Sequence, residues 1–148
     1  MSEMYESTTV IPDEYLYCIG NFSCGDKPEA NVTVKLYKRS GNDTIGREEL
    51  NSTTTNENGK FDILGHWNSS NRFDSHISFT HKCHVTDRTR CNRTFVFSFS
   101  RNFTNSTEDG AIKFPYKLYV KVDNSSESNT NYGKEKCVNE TNNQQTNV

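Results

Sequence analysis

Long apolar runs are missing from this chain of 148 residues. No stretch approaches the roughly 20 apolar residues that cross a bilayer as a helix, and the first 30 residues have neither the charged start nor the apolar centre of a signal peptide. Helical periodicity is equally scarce: no segment of eleven or more residues carries it, and Thr44–Leu50 offers one turn at most. A dominant charge is lacking too. With 17 Lys and Arg against 19 Asp and Glu, interspersed, the formal net charge is -2, which gives no broad footprint for nucleic acid. Ile, Leu, Val and Phe number only 29, about a fifth of the chain, so the core is small, while the near-neutral charge argues against wholesale disorder. One domain of ordinary size accounts for this length; two independent cores do not.

What the chain has in excess is Asn, Ser and Thr, 49 residues together. Ten Asn stand in the Asn-X-Ser/Thr sequon read by the lumenal glycosylation machinery: Asn21, Asn31, Asn42, Asn51, Asn68, Asn92, Asn102, Asn105, Asn124 and Asn139. Random placement of the same residues would give about four. The five cysteines, Cys18, Cys24, Cys83, Cys91 and Cys137, point the same way, since cross-links stabilise small-core domains in oxidising compartments. Both signals place the chain outside the cell, secreted and glycosylated, in which case it is the mature form.

Five is an odd number, so at most two disulfides close within the chain and one thiol is left for a partner or stays free. Cys83 and Cys91 lie eight residues apart, a separation that a turn between strands brings within bonding distance, and they are expected to bond. Cys137 sits in a polar tail, which a disulfide to Cys24 or Cys18 would hold.

Asn31–Tyr37 alternates strictly, with Val32, Val34 and Leu36 on one face. The same period recurs in Lys60–Ile63, His76–Thr80, Thr94–Phe99 and Lys117–Val122, and Tyr15–Phe22 makes a further strand. Turn-forming clusters at Gly25–Pro28, Asn56–Gly59 and Glu108–Gly110 separate them. The expected fold is therefore all-β, a two-layer antiparallel β-sandwich over residues 14–123. A flexible segment, 1–13, precedes it, and a polar, mostly disordered tail, 124–148, pinned at Cys137, follows.

His81, Cys83, His84 and Cys91 have the donor chemistry of a zinc site, but thiols outside the cell form disulfides instead, so no metal is expected. A Cys/His nucleophile fails on the same ground. Basic groups remain: Lys82, Arg88, Arg90 and Arg93 cluster around the Cys83–Cys91 turn and form a candidate surface for phosphate headgroups or an acidic protein patch. Lys117, Tyr119 and Lys121 face outward on a strand that meets no sequon until Asn124, a second candidate partner surface.

Four blocks occur in order: Cys24-Gly25-Asp26-Lys27-Pro28 with the strand Asn31–Tyr37, then Asn58–Gly65, then His76–Cys83 with its His-X-Cys element, then Cys91-Asn92-Arg93. Together they resemble the nematode transthyretin-like family over roughly residues 15 to 122. The resemblance implies a prealbumin-like sandwich of about seven strands, secreted and disulfide-bonded, with no cofactor. Its partner would be an extracellular protein or a cell-surface receptor. One member of the family bridges exposed phosphatidylserine to an engulfment receptor, which implies anionic phospholipid headgroups as an alternative ligand. The vertebrate hormone carrier, with its tetramer channel, implies another, a small apolar ligand. Related hydrolases of 5-hydroxyisourate depend on a Tyr-Arg-Gly-Ser ending, whereas this chain ends Gln145-Thr146-Asn147-Val148, so catalysis is not expected. Cys18 and the sequon density depart from the family's usual pattern.

Overall fold

A computed structural model describes residues 13–40, 48–68, 73–123, 131–138 and 145–147. The sequons at Asn42, Asn124 and Asn139, nearly all of segment 1–13, and residues 44–47 of the expected helical turn lie outside these ranges. The described elements run β1 (Asp13–Cys24), β2 (Lys27–Pro28), β3 (Thr33–Ser40), β4 (Glu48–Thr54), β5 (Lys60–Asn68), β6 (Phe73–His81) and β7 (Cys91–Phe99). A 3₁₀ turn (Arg101–Phe103), α1 (Glu108–Lys113), β8 (Tyr116–Val122), β9 (Glu135–Val138) and β10 (Gln145–Asn147) follow. Two layers face each other. In the first, β1 is central, with β5 and the short β2 along one edge and β8 along the other. The second has the order β10-β9-β7-β6-β3-β4 and is antiparallel throughout.

Alternation sorts the side chains as a half-buried strand requires. Along β5, Phe61, Ile63 and Trp67 turn inward while Lys60, Asp62 and His66 stay exposed. Leu16, Cys18 and Phe22 of β1 and Val120 and Val122 of β8 pack against Val34, Leu36, Ile77, Phe79 and Phe99 of the second layer. Phe79 is the aromatic hub, with ring centroids 5.5 Å from Phe61, 5.8 Å from Phe22 and 5.2 Å from Phe95. Gly20 is needed where it stands: a Cβ there would lie 1.8 Å from the carbonyl oxygen of Leu118, so any side chain would push β8 away from β1.

Three local expectations are corrected. The β1–β8 ladder is parallel, running from Cys18 opposite Tyr116 to Cys24 opposite Val122, within a sandwich whose other ladders are antiparallel. A parallel neighbour needs a crossover, and the 3₁₀ turn with α1 carries the chain from β7 to it. α1 itself occupies the site read as a plain turn at Glu108–Gly110. Thr107 caps it, its Oγ1 accepting the Gly110 N–H at 3.0 Å, while Glu108 and Asp109 in the first turn and Lys113 in the last suit the helix dipole. Finally, Glu48–Leu50 belongs to strand β4 and not to a helical turn. Among the described residues β4 is a polar edge strand, held to β3 by backbone pairing and by Lys35–Glu49 and Lys38–Glu48 ion pairs, each at 3.6 Å. Its register with β3 shifts between Leu36 and Tyr37, and its lone apolar residue, Leu50, leaves no period to read.

Candidate functional site

Four of the five cysteines close two disulfides at one end of the sandwich: Cys24 with Cys83, and Cys91 with Cys137. This corrects the expected Cys83–Cys91 bond and the expected partner of Cys137. The reason lies in the turn after β6. The hairpin register pairs His81 with Arg93 and, if continued, would set Cys83 opposite Cys91, but the ladder stops at His81. The Cys83 N–H donates to His81 Nδ1 at 3.1 Å, Arg93 Nη1 donates to the Cys83 carbonyl at 2.9 Å, and His84 turns the chain with φ 58°. Cys83 is thereby directed at the end of β1, where Cys24 waits. Cys91 in turn lies directly opposite Cys137 in the β7–β9 ladder. Cys18 keeps a free thiol inside the core, where burial pushes its pKa up to about 12.

The structure removes Arg93 from the candidate cationic surface: it has no exposed area. Its Nε donates to the Gly133 carbonyl at 2.8 Å, and His81 Nε2 reaches the Tyr132 carbonyl at 2.9 Å. Because Nδ1 accepts from Cys83, the proton of the neutral ring sits on Nε2 and is donated to the tail. Burial lowers the His81 pKa to about 4, with Arg93 and His84 adding to the effect against the opposing Tyr132 bond. The tail is thus held by side chains of the second layer as well as by Cys137.

Lys82, Arg88 and Arg90 do lie on the surface of this turn. Arg88 is 3.5 Å from Glu29, a buried carboxylate that also accepts the Lys82 N–H at 3.2 Å. Arg90 lies 3.7 Å from Asp87. The Thr89 hydroxyl and N–H, bonded to Asp87, hold its carboxyl below the usual range. Sequence reading missed Glu29 because a single acid between a turn and a strand carries no pattern. Glu29, Lys82 and Arg88, with Ala30 and Asn31, line a pocket of about 200 Å³.

On β8, Lys117, Tyr119 and Lys121 are all exposed, Tyr119 to 66%. Lys121 pairs with Asp26 at 3.2 Å. Asn21 of β1 stands opposite Tyr119 in the ladder and lines one cleft with it and Lys60, so this surface has a sequon beside it despite the gap before Asn124. A wider groove lies elsewhere, about 470 Å³, bounded by Asn102, Phe103, Phe114, Pro115, Tyr116 and Lys117 among others. Phe114 is 67% and Phe103 45% exposed there, and the Phe103 and Tyr116 rings meet edge-on at 4.6 Å. No apolar period marks these residues, which come from a connection and a strand start.

Of the described sequons, Asn31, Asn51, Asn68 and Asn102 are exposed, and Asn21, Asn92 and Asn105 half-buried. Asn51 Nδ2 donates to the Leu64 carbonyl at 2.9 Å, and Asn31 takes a positive φ of 61°. Cys24, Cys83 and His84 bring three donor atoms together, as do Cys91, Glu135 and Cys137, but each set contains both sulfurs of one disulfide and so offers no thiolate to a metal.

Transthyretin-like protein 33 of Caenorhabditis elegans is 31% identical over 90 residues, which are 61% of this chain and 62% of that protein, so the match spans about three-fifths of the relative. A solved 9R-lipoxygenase from Cyanothece PCC8801 superposes on 83% of this chain and 18% of its own, with 14% identity and a TM-score of 0.41, and bears on nothing further. The sequence profile of the Transthyretin-like family matches residues 19–99, from the middle of β1 to the end of β7. With more than half its length under that match and the strands of both layers in place, the chain belongs to the transthyretin-like family.

Proposed function

We propose that this chain is a secreted, N-glycosylated binding protein that engages an extracellular protein or cell-surface receptor and performs no chemistry of its own. The two disulfides carry the reading, because four of five cysteines are paired and such pairs persist in oxidising compartments. Ten sequons in the same chain agree with it. Exposed Tyr119 between Lys117 and Lys121 is the candidate contact, an aromatic flanked by cations of the kind that anchors interfaces. A glycan at Asn21 would limit how a partner approaches it.

Anionic headgroups would have to be held by Lys82, Arg88 and Arg90, two of which already face a carboxylate. Charge-driven binding to phosphatidylserine vesicles is therefore expected to be weak and lost at physiological salt. A carrier of small apolar ligands requires an assembly with a central cavity. Light scattering after size exclusion separates that case, since a tetramer would favour it.

The test is cross-linking mass spectrometry in extracellular extract, with wild type beside Tyr119→Ala. Cross-links from Lys117 and Lys121 to one partner, lost in the variant, support the reading. Cross-links from these lysines that persist in the variant remove Tyr119 as the anchor, and partner cross-links that arise only from other lysines move the contact off β8.

A further inference from the structure

We infer that the groove beside the 3₁₀ turn is the seat of this protein's own N-glycan, attached at Asn102. The inference rests on the secreted reading above and adds a place and a role for one sugar chain. Asn102 is exposed and itself belongs to the groove's lining, so a glycan on its Nδ2 is attached at the groove and within reach of it. The groove's chemistry fits that occupant. Phe103, Phe114 and Tyr116 present aromatic surface and Pro115 an aliphatic ring, while Thr104, Asn105 and Lys117 supply polar groups at the edge. A pyranose is amphipathic in the same way, with a C–H face that lies against aromatic rings and equatorial hydroxyls that need hydrogen-bond partners. Its volume of about 470 Å³ is in the range of sites for small ligands.

The neighbouring sequon is a poorer source. The backbone of Asn105 is bonded to Tyr15 in both directions, its N–H at 2.8 Å and its carbonyl at 2.7 Å, and its side chain is half-buried beside Gly110. Phe114 at 67% exposure is otherwise the largest apolar liability among the described residues, and a seated sugar would cover it. The glycan thus acts as a side chain that completes the surface, and removing it would expose the patch.

The experiment uses protein secreted from a glycosylating eukaryotic host, with glycopeptide mapping followed by thermal unfolding. Asn102 is expected to be occupied. Asn102→Gln should lower Tm by about 2–4 °C in the wild-type background and leave Tm unchanged in the Phe103→Ala/Phe114→Ala background. Trimming all glycans to their first sugar should retain the stability in both backgrounds, and complete enzymatic removal, which strips every sequon, should cost wild type more than the Phe103→Ala/Phe114→Ala background by the same margin of about 2–4 °C. An occupied Asn102 whose loss has the same effect with and without the two rings overturns the proposal, and so does an unoccupied Asn102 among occupied sequons. In both cases the secreted reading stands. A product with no glycan at any site overturns that reading as well. Self-association of the deglycosylated protein that the ring substitutions abolish supports the covering role, whereas self-association of the fully glycosylated form through Phe114 would make the groove an interface between copies and overturn it.

Discussion

Arg93 places a guanidinium where no solvent reaches, and the carbonyls of Cys83 and Gly133 take its N–H groups. Arg93→Met would leave the buried Cys83 carbonyl short of a donor, at about 1–3 kcal/mol for a buried polar group, and would release the half-buried Gly133 carbonyl as well. It should lower the urea midpoint and open 131–138 to proteolysis; an unchanged midpoint would show the bonds to be dispensable. His81 gives the same contact a pH dependence. Its ring titrates near 4 in the fold against 6.5 for the free side chain, so as pH falls the unfolded chain takes up the proton first. The stability due to the neutral ring is therefore complete above pH 7, declines from about 6.5 downward and is gone below 4, roughly 3 kcal/mol in all. Protonation at Nδ1 would also take from the Cys83 N–H its acceptor. Guanidinium titrations from pH 7 to 4.5 should fall more steeply for wild type than for His81→Gln, and parallel curves would contradict the assignment.

Among the described residues β8 is an edge strand, with cations on it. An antiparallel second copy centred on Tyr119 would set Lys117 against Lys121 twice, and like charges directly opposite destabilise a ladder. The lysines thus admit an acidic partner strand more readily than a copy of the chain. Replacing both by Thr should produce self-association in sedimentation velocity that wild type lacks; a double variant that sediments like wild type would remove the charge argument. β9 shows what holds a polar segment in a sheet. Its burial pattern alternates weakly, and what fixes it is the register of Cys91 with Cys137, with Arg93 opposite Glu135 and the Thr86 N–H donating to Glu135 at 3.1 Å. Cys137→Ser should release β9 and β10 while β1 to β8 stay folded, seen as loss of amide protection confined to β7, β9 and β10.

For the whole molecule, the sandwich was legible wherever one face is buried, because Val32-Val34-Leu36 and Phe61-Ile63 alternate without interruption. It was illegible where contacts between distant residues replace local pattern. β4 has one apolar residue, α1 is too short for a period, and the parallel seating of β8 depends on Gly20 clearing the Leu118 carbonyl. The cysteine pairing belongs with these, since the hairpin register suggests Cys83 with Cys91 and only the turn held by His81 and Arg93 redirects Cys83. In the same way Arg93 read as a surface cation until its partners, Cys83 and Gly133, were in view. The two disulfides close loops of 59 and 46 residues, each stabilising by about 4 kcal/mol in the chain-entropy account, a large share of the stability of so small a core. The most direct measurement is therefore non-reducing peptide mapping of the protein secreted from eukaryotic cells. The account predicts Cys24–Cys83 and Cys91–Cys137 links, a Cys18 thiol that reacts only after unfolding, and glycan mass above the 17.0 kDa of the chain. A Cys83–Cys91 link, or a bare chain with these four cysteines reduced, would contradict it.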